Sequence, residues 1–155
     1  MEQNQQYRRN ISAPNLLNIC VDCNLNGEVK GRVYHCYKLQ PVEFSNVIEL
    51  VREAEQFFDD IAFPQASTKT RSLVEKNDKT IMQVRRPEKV VASEAVAQNR
   101  GELASFLTNV RFRQNSTWQG EALWLEQEKT IRFSNILDLI KEIDLALESV
   151  KKSYS

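Results

Sequence analysis

Apolar side chains recur at every second position in several short stretches of the chain, which is typical of strands with one buried face. The first such stretch is NLLNICVDC, whose alternate positions would face the core. Those positions are Leu17, Ile19, Val21 and Cys23. Asn26 and Gly27 follow and predict a tight hairpin turn into a return strand, VKGRVYHCY. The short stretch PVEF predicts a third strand.

After the third strand the spacing of apolar residues changes to three and four positions, which predicts an amphipathic helix. This helix would run from Ser45 to about Ile61. Ser45 is a suitable first residue because its side-chain oxygen can accept a hydrogen bond from an unpaired N–H group of the first turn. The sequence therefore predicts a unit of two or three strands followed by one helix.

The same order of elements is predicted a second time. FLTNVRFRQ, WQGEALWLE and TIRF alternate as strands, and a helix follows from Ser134 to about Val150. The tripeptide Phe-Ser-Asn begins at residue 44 and again at residue 133, an offset of 89 positions. At this offset Gly31 matches Gly120 and Leu50 matches Leu139 without a gap. This predicts an internal duplication.

The predicted fold class is α+β: a ββ(β)α unit occurs twice in a single compact domain. Neither unit could bury both its sheet face and its helix alone, so the two must share a core. The sequence leaves open whether they form one continuous sheet or two. We expect a disordered N-terminal tail at 1–13, repeats at 14–62 and 102–151, and a polar, basic linker at 63–101 with a short helix over 93–99.

The composition excludes some classes of protein. With 41% hydrophobic and 27% charged residues the chain is not disordered throughout. The 21 basic and 21 acidic residues balance, which argues against a protein that coats nucleic acid. No apolar run approaches the roughly 20 residues that span a membrane, and the polar N-terminus does not resemble a secretory signal. Together with an odd number of cysteines, this predicts a cytoplasmic protein without membrane contact.

Three cysteines and the single histidine could in principle bind zinc. On a regular strand, however, Cys20 and Cys23 point to opposite faces. At the offset of 89, Cys23 matches Phe112 and Cys36 matches Leu125, which are both apolar. We therefore expect cysteines that pack in the core, and neither a metal nor a cofactor.

An enzyme centred on His35 is the third interpretation of function. A general base needs a nucleophile and an orienting carboxylate within reach, and no motif presents this set. The chain also has no glycine-rich phosphate loop. We therefore expect a protein that is not an enzyme.

In the hairpin RFRQNSTWQG, regular alternation places Arg111 and Arg113 on the face opposite Val110 and Phe112. Arginines near aromatic rings and amides can stack bases and hold phosphates. Alternatively, the tryptophans belong to the core and the arginines to a solvated strand face. Between residues 69 and 89 the linker carries seven basic and three acidic residues, so it could face phosphates or be a solvated loop. The candidate binding residues are Arg71, Arg85, Arg86, Arg111, Arg113, Asn115, Thr117, Trp118 and Trp124.

The leading prediction is a non-enzymatic, regulatory binding or adaptor protein. Its contact surface would be the sheet face that carries Arg111, Arg113, Trp118 and Trp124, together with the basic linker, and it would bind a protein partner or a second copy in a homodimer. The alternative is a sensor that binds a nucleotide second messenger such as cyclic di-GMP, or single-stranded RNA.

Two resemblances bear on these predictions. The stretches GEVKGRVYHCY, FPQASTKTRSL and NSTWQGEALWLEQEKTIRFSNILDLI resemble a family of small uncharacterised proteins of gut Firmicutes, and this resemblance implies no particular activity. Arg85 and Arg86 before Lys89, with the later NSTWQG, partly resemble the motif by which PilZ domains bind cyclic di-GMP. Lys89 stands where that motif has an arginine.

Overall fold

The computed structural model describes residues 2–63, 88–114 and 117–153. Within them, six strands form one antiparallel sheet in the order β3-β2-β1-β4-β5-β6, accompanied by four helices. The elements are α1 (Glu2–Ile11), β1 (Leu17–Leu25), β2 (Glu28–Tyr34), β3 (Val42–Phe44), α2 (Val47–Ile61), α3 (Ser93–Gln98), β4 (Ala104–Gln114), β5 (Thr117–Trp124), β6 (Lys129–Phe133) and α4 (Ile136–Ser153). The α+β class is confirmed. The two predicted units form one continuous sheet because β1 pairs with β4.

Helices α2 and α4 cover one side of the sheet, called here the α2/α4 face. Alternate strand residues point to it and form the main core with the apolar sides of both helices. Leu17 and Ile19 of β1 and Phe106 of β4 are almost fully buried at its centre. The predicted helical spacing is also observed, since Leu50, Ala54 and Ile61 of α2 are buried there.

Helices α1 and α3 cover the opposite side, the α1/α3 face. Leu107 and Leu123 of the sheet pack here with Val96 of α3 and with Tyr7 of α1. Helix α1 occupies the segment that we expected to be a disordered tail. Its Asn10 is fully buried and donates a hydrogen bond from Nδ2 to the Leu107 carbonyl at 2.9 Å, so tertiary contacts hold a helix with a weak apolar stripe.

Two bulges change the faces of the long strands. The register of β1 shifts between Val21 and Cys23, and that of β4 shifts between Val110 and Phe112. One extra residue at each bulge reverses the alternation beyond it. Cys23 therefore does not share a face with Val21. Arg113 joins Val110 on the α2/α4 face, whereas the sequence had placed these two on opposite faces.

A glycine faces each bulge from the neighbouring strand. A Cβ atom on Gly31 would lie 2.0 Å from the Cys20 carbonyl oxygen, and one on Gly120 would lie 2.1 Å from that of Asn109. No side chain fits at such a distance, so both glycines allow the backbones to approach closely. The predicted hairpin turn is also present, with positive φ at Asn26 (54°).

The residue that begins each long helix is an asparagine rather than the predicted serine. Asn46 Oδ1 accepts a hydrogen bond from the Glu49 N–H at 2.8 Å, and the Glu49 carboxylate accepts one from the Ser45 N–H at 2.8 Å. The arrangement resembles a capping box, except that the Glu49 carboxylate accepts the N–H of the residue before the cap and not that of the cap itself. In α4, Asn135 Oδ1 accepts the Asp138 N–H at the same distance of 2.8 Å.

The strand pairing keeps the offset of 89 residues. At the centre of the sheet Asn18 of β1 lies opposite Leu107 of β4, and these two residues are 89 positions apart. The two neighbouring pairs are Leu17 with Thr108 and Ile19 with Phe106. They are related by the same offset, because Leu17 matches Phe106 and Ile19 matches Thr108. The pairing of β1 with β4 therefore has a local two-fold relation about its central residue pair.

Candidate functional site

Arg113 and Trp118 are buried between the sheet and α2, with 5% and 1% of their surfaces exposed. Arg113 Nη1 donates to Glu55 Oε2 at 2.8 Å and to Asp59 Oδ1 at 2.9 Å. The Trp118 Nε1–H donates to the other oxygen of Glu55. The ring of Trp118 meets Phe58 edge to face, with centroids 5.5 Å apart. Both residues thus hold α2 on the hairpin and do not form an open contact surface.

The remaining hairpin candidates are distributed over both faces. Trp124 is 6% exposed and packs against Phe106 in the main core. Arg111 points to the α1/α3 face, where it pairs with the buried carboxylate of Glu121. Thr117 is half-buried at the start of β5. The predicted surface of arginines and tryptophans on one face is therefore not formed, because the bulge in β4 separates Arg111 from the others.

Four candidates lie outside the described residues: Arg71, Arg85, Arg86 and Asn115. The basic linker and the PilZ-like arrangement consequently stay predictions.

His35 lines a cavity of about 250 Å³ beside α2. Its ring stacks on Phe57 with centroids 4.1 Å apart and planes inclined by 19°. Its Nδ1 accepts a hydrogen bond from the Tyr37 N–H at 3.1 Å. Burial, with a smaller contribution from Lys38, lowers the pKa of His35 to about 4.

These contacts leave His35 neutral at neutral pH, with its proton on Nε2. Glu53 and Asp60 also line the cavity. Neither carboxylate hydrogen-bonds the imidazole in the part of the chain that the structure describes. The orienting carboxylate that we required of a catalytic histidine is not in place there.

The bulge in β1 turns Cys20 and Cys23 to the same face, contrary to the expectation for a regular strand. Burial, the largest contribution, raises the pKa of the Cys20 thiol to about 12. Across residues 2–63, 88–114 and 117–153, no group of three or more histidine, cysteine or acidic side chains could hold a metal ion.

A second cavity, of about 330 Å³, lies between α2, α4 and the β1–β2 hairpin, and we call it the interhelix cavity. Its apolar lining consists of Val21, Val29, Val47, Leu50, Ile140 and Ile143. Lys141 and Asp144 of α4 also line it, and both are exposed, so one polar edge borders a mainly apolar space.

Sequence reasoning missed this cavity because it predicted all inward apolar side chains as packed core. One signal was present. At the offset of 89, Val29 matches Trp118, so a small side chain stands in one unit where the other has the largest one.

Several large apolar side chains are exposed on different elements, among them Ile48 of α2, Phe112 of β4 and Leu137 of α4. A protein partner could use any of them, and that prediction is untested. No helix within the described ranges combines the length and the apolar character that crossing a membrane requires.

The chain matches no protein-family model, and no curated protein and no solved structure is similar to it.

Proposed function

We propose that this protein is a non-enzymatic binding protein that takes a small, mainly apolar ligand into the interhelix cavity. The observation that carries this proposal is the cavity itself. Its volume of about 330 Å³ falls in the range of roughly 300–1,000 Å³ typical of small-molecule sites. The apolar part of the lining is a poor site for ordered water, which needs two to four polar partners, because the charged side chains Lys141 and Asp144 lie at one edge only.

The proposed contact thus lies at a different place from the one that the sequence suggested. Arg113, Trp118 and Trp124 are buried in the core and against α2. The α2/α4 face of the second hairpin therefore has little accessible surface for a partner. The interhelix cavity lies on the same sheet face but beside the first hairpin, where the corresponding position is Val29.

The surroundings of His35 support a non-enzymatic role. A base whose pKa is about 4 takes up a proton poorly near neutral pH, where general bases work best with a pKa close to 7. The three cysteines are free, which fits a reducing compartment such as the cytoplasm.

We also propose that the chain consists of two copies of one ββ(β)α unit. The bulges, the glycines opposite them and the asparagine caps all recur at an offset of 89 residues. Each feature is a local backbone device with its own cause. Their agreement in a single register supports duplication more strongly than the shared tripeptide alone.

The proposed function is tested by thermal unfolding of the full chain with a panel of small apolar molecules, cyclic di-GMP and short RNA. A ligand at 100 times its Kd stabilises the folded state by about 2.7 kcal/mol. We expect apolar ligands to raise the midpoint temperature of unfolding of the wild type. They should raise it equally in Leu145→Trp, a control variant at an exposed position of α4. Ile140→Trp, which fills the interhelix cavity, should abolish the shift.

A shift with cyclic di-GMP or RNA, and none with any apolar molecule, would contradict the proposal and favour the nucleotide sensor.

A further inference from the structure

Val29 and Trp118 occupy the same place in the two units. Val29 lies on β2 opposite Asn24, and Trp118 lies on β5 opposite Arg113; each pair is related to the other by 89 positions. Both Val29 and Trp118 are buried on the α2/α4 face, just beyond the bulge of the preceding strand. The difference between the units at this place is therefore one of side-chain size.

The indole of Trp118 has a defined polar partner, Glu55 of α2, which accepts its N–H. The residue 89 positions after Glu55 is Asp144 of α4, and Asp144 lines the interhelix cavity. At the Trp118 site, the first unit thus supplies the carboxylate and the second unit supplies the indole. At the interhelix cavity, the second unit supplies the carboxylate, and an open space lies where the first unit would supply an indole.

We propose that the interhelix cavity binds a free planar heteroaromatic molecule of the indole class, with its ring N–H donated to Asp144. This inference rests on the proposed function and names the class of ligand. The ring would lie over Val29 and between Leu50 of α2 and Ile140 of α4, all of which line the space. A buried aromatic ring with one N–H needs one acceptor, and Asp144 provides it.

An unpaired acceptor lies beside this place. Asn24 is opposite Val29 on the neighbouring strand, and its buried Oδ1 has no hydrogen-bond partner among the residues that the structure describes. Unpaired buried oxygens are uncommon and are costly to a folded protein. Asn24 corresponds to Arg113, which is itself part of the polar group around Trp118. Asp144 lines the interhelix cavity itself and favours a ligand that donates a hydrogen bond, whereas Asn24 lies behind the lining, next to Val29.

The test is a calorimetric titration of the full-length wild type with indole, indene and 1-methylindole. Indene has the same shape but no N–H, and 1-methylindole has its nitrogen blocked. We expect indole to bind at least tenfold more tightly than either. Asp144→Ala should reduce the affinity for indole to that for indene, whereas Glu148→Ala, an exposed acidic control on the same helix, should not.

The outcomes separate this inference from the proposed function. Equal affinity for indole and indene, both lost in Ile140→Trp, would overturn recognition of the N–H and leave an apolar binding site. Binding of N-acetyltryptophanamide without binding of indole would overturn the free ligand in favour of a tryptophan side chain. If no molecule of this set or of the apolar panel binds, both proposals fail.

Discussion

His35 shows how a single half-buried ring acquires unusual acid–base behaviour. It stacks on Phe57, and its Nδ1 is engaged by the Tyr37 N–H. Protonation would place a charge in a half-buried site and next to Lys38, while Asp60 compensates only in part. The pKa is therefore lowered, with burial as the main cause.

This lowered pKa predicts a loss of stability in acid. The pKa of His35 is about 4 in the folded state and near 6.5 for an unperturbed histidine. Below pH 6.5 the unfolded chain binds a proton that the folded chain does not, so the free energy of unfolding falls until about pH 4. His35→Phe keeps a ring on Phe57 and removes the titration. Denaturant unfolding between pH 7 and 4 should therefore show a smaller loss for the variant, and parallel curves would contradict the lowered pKa.

At the same scale, the sequence predicts which residues are apolar but not where alternation breaks. Arg113 and Cys23 both lie beyond a bulge, and each faces the side opposite to its predicted one. Gly31 and Gly120 each lie opposite a bulge and allow a close backbone approach, which is what a glycine within a strand usually marks. The position of the extra residue depends on hydrogen bonding between strands, which alternation in one strand does not encode.

Helix α2 is joined to the sheet by polar contacts as well as by its apolar side. Glu55 receives hydrogen bonds from Arg113 and Trp118, both almost fully buried. Asp144, its match on α4, is exposed beside the interhelix cavity. Equivalent carboxylates of the two helices therefore have different roles, one in structure and one proposed for binding.

The two carboxylates should consequently differ in what they contribute to stability. Glu55→Ala removes the acceptor of the Trp118 N–H and leaves Arg113 paired with the exposed carboxylate of Asp59. We therefore expect the free energy of unfolding to fall by about 2–3 kcal/mol. Asp144→Ala should cost less than about 0.5 kcal/mol, as is usual for an exposed position. Urea unfolding of both variants beside the wild type measures this difference. Similar losses for the two would mean that Asp144 has a structural partner.

Strong periodicity is the reason why most elements could be predicted from the sequence. Apolar residues recur at clear intervals in the strands and in α2 and α4. The predicted short helix near residue 93 is present as α3. Helix α1 could not be predicted, because it is held by the buried Asn10 and by packing on the distant strand β4. The interhelix cavity is likewise a product of distant elements, namely α2, α4 and a hairpin.

At the scale of the whole molecule, the sheet is nearly symmetric, but the side chains that pack on its α2/α4 face are not. The bulges, glycines and helix caps repeat across the central pair of strands. The interior differs at Val29 and Trp118, and the open space lies on the side with the smaller residue. The proposed ligand therefore lies where one unit lacks the ring that the other carries.

The most direct measurement is a titration of Val29→Trp with indole, together with its thermal midpoint. We expect the new side chain to fill the interhelix cavity and to donate its N–H to Asp144. The thermal midpoint should then lie above that of the wild type, and binding of indole should be abolished. A variant that still binds indole as the wild type does, or whose midpoint falls well below it, would show that the cavity is not the counterpart of the Trp118 site.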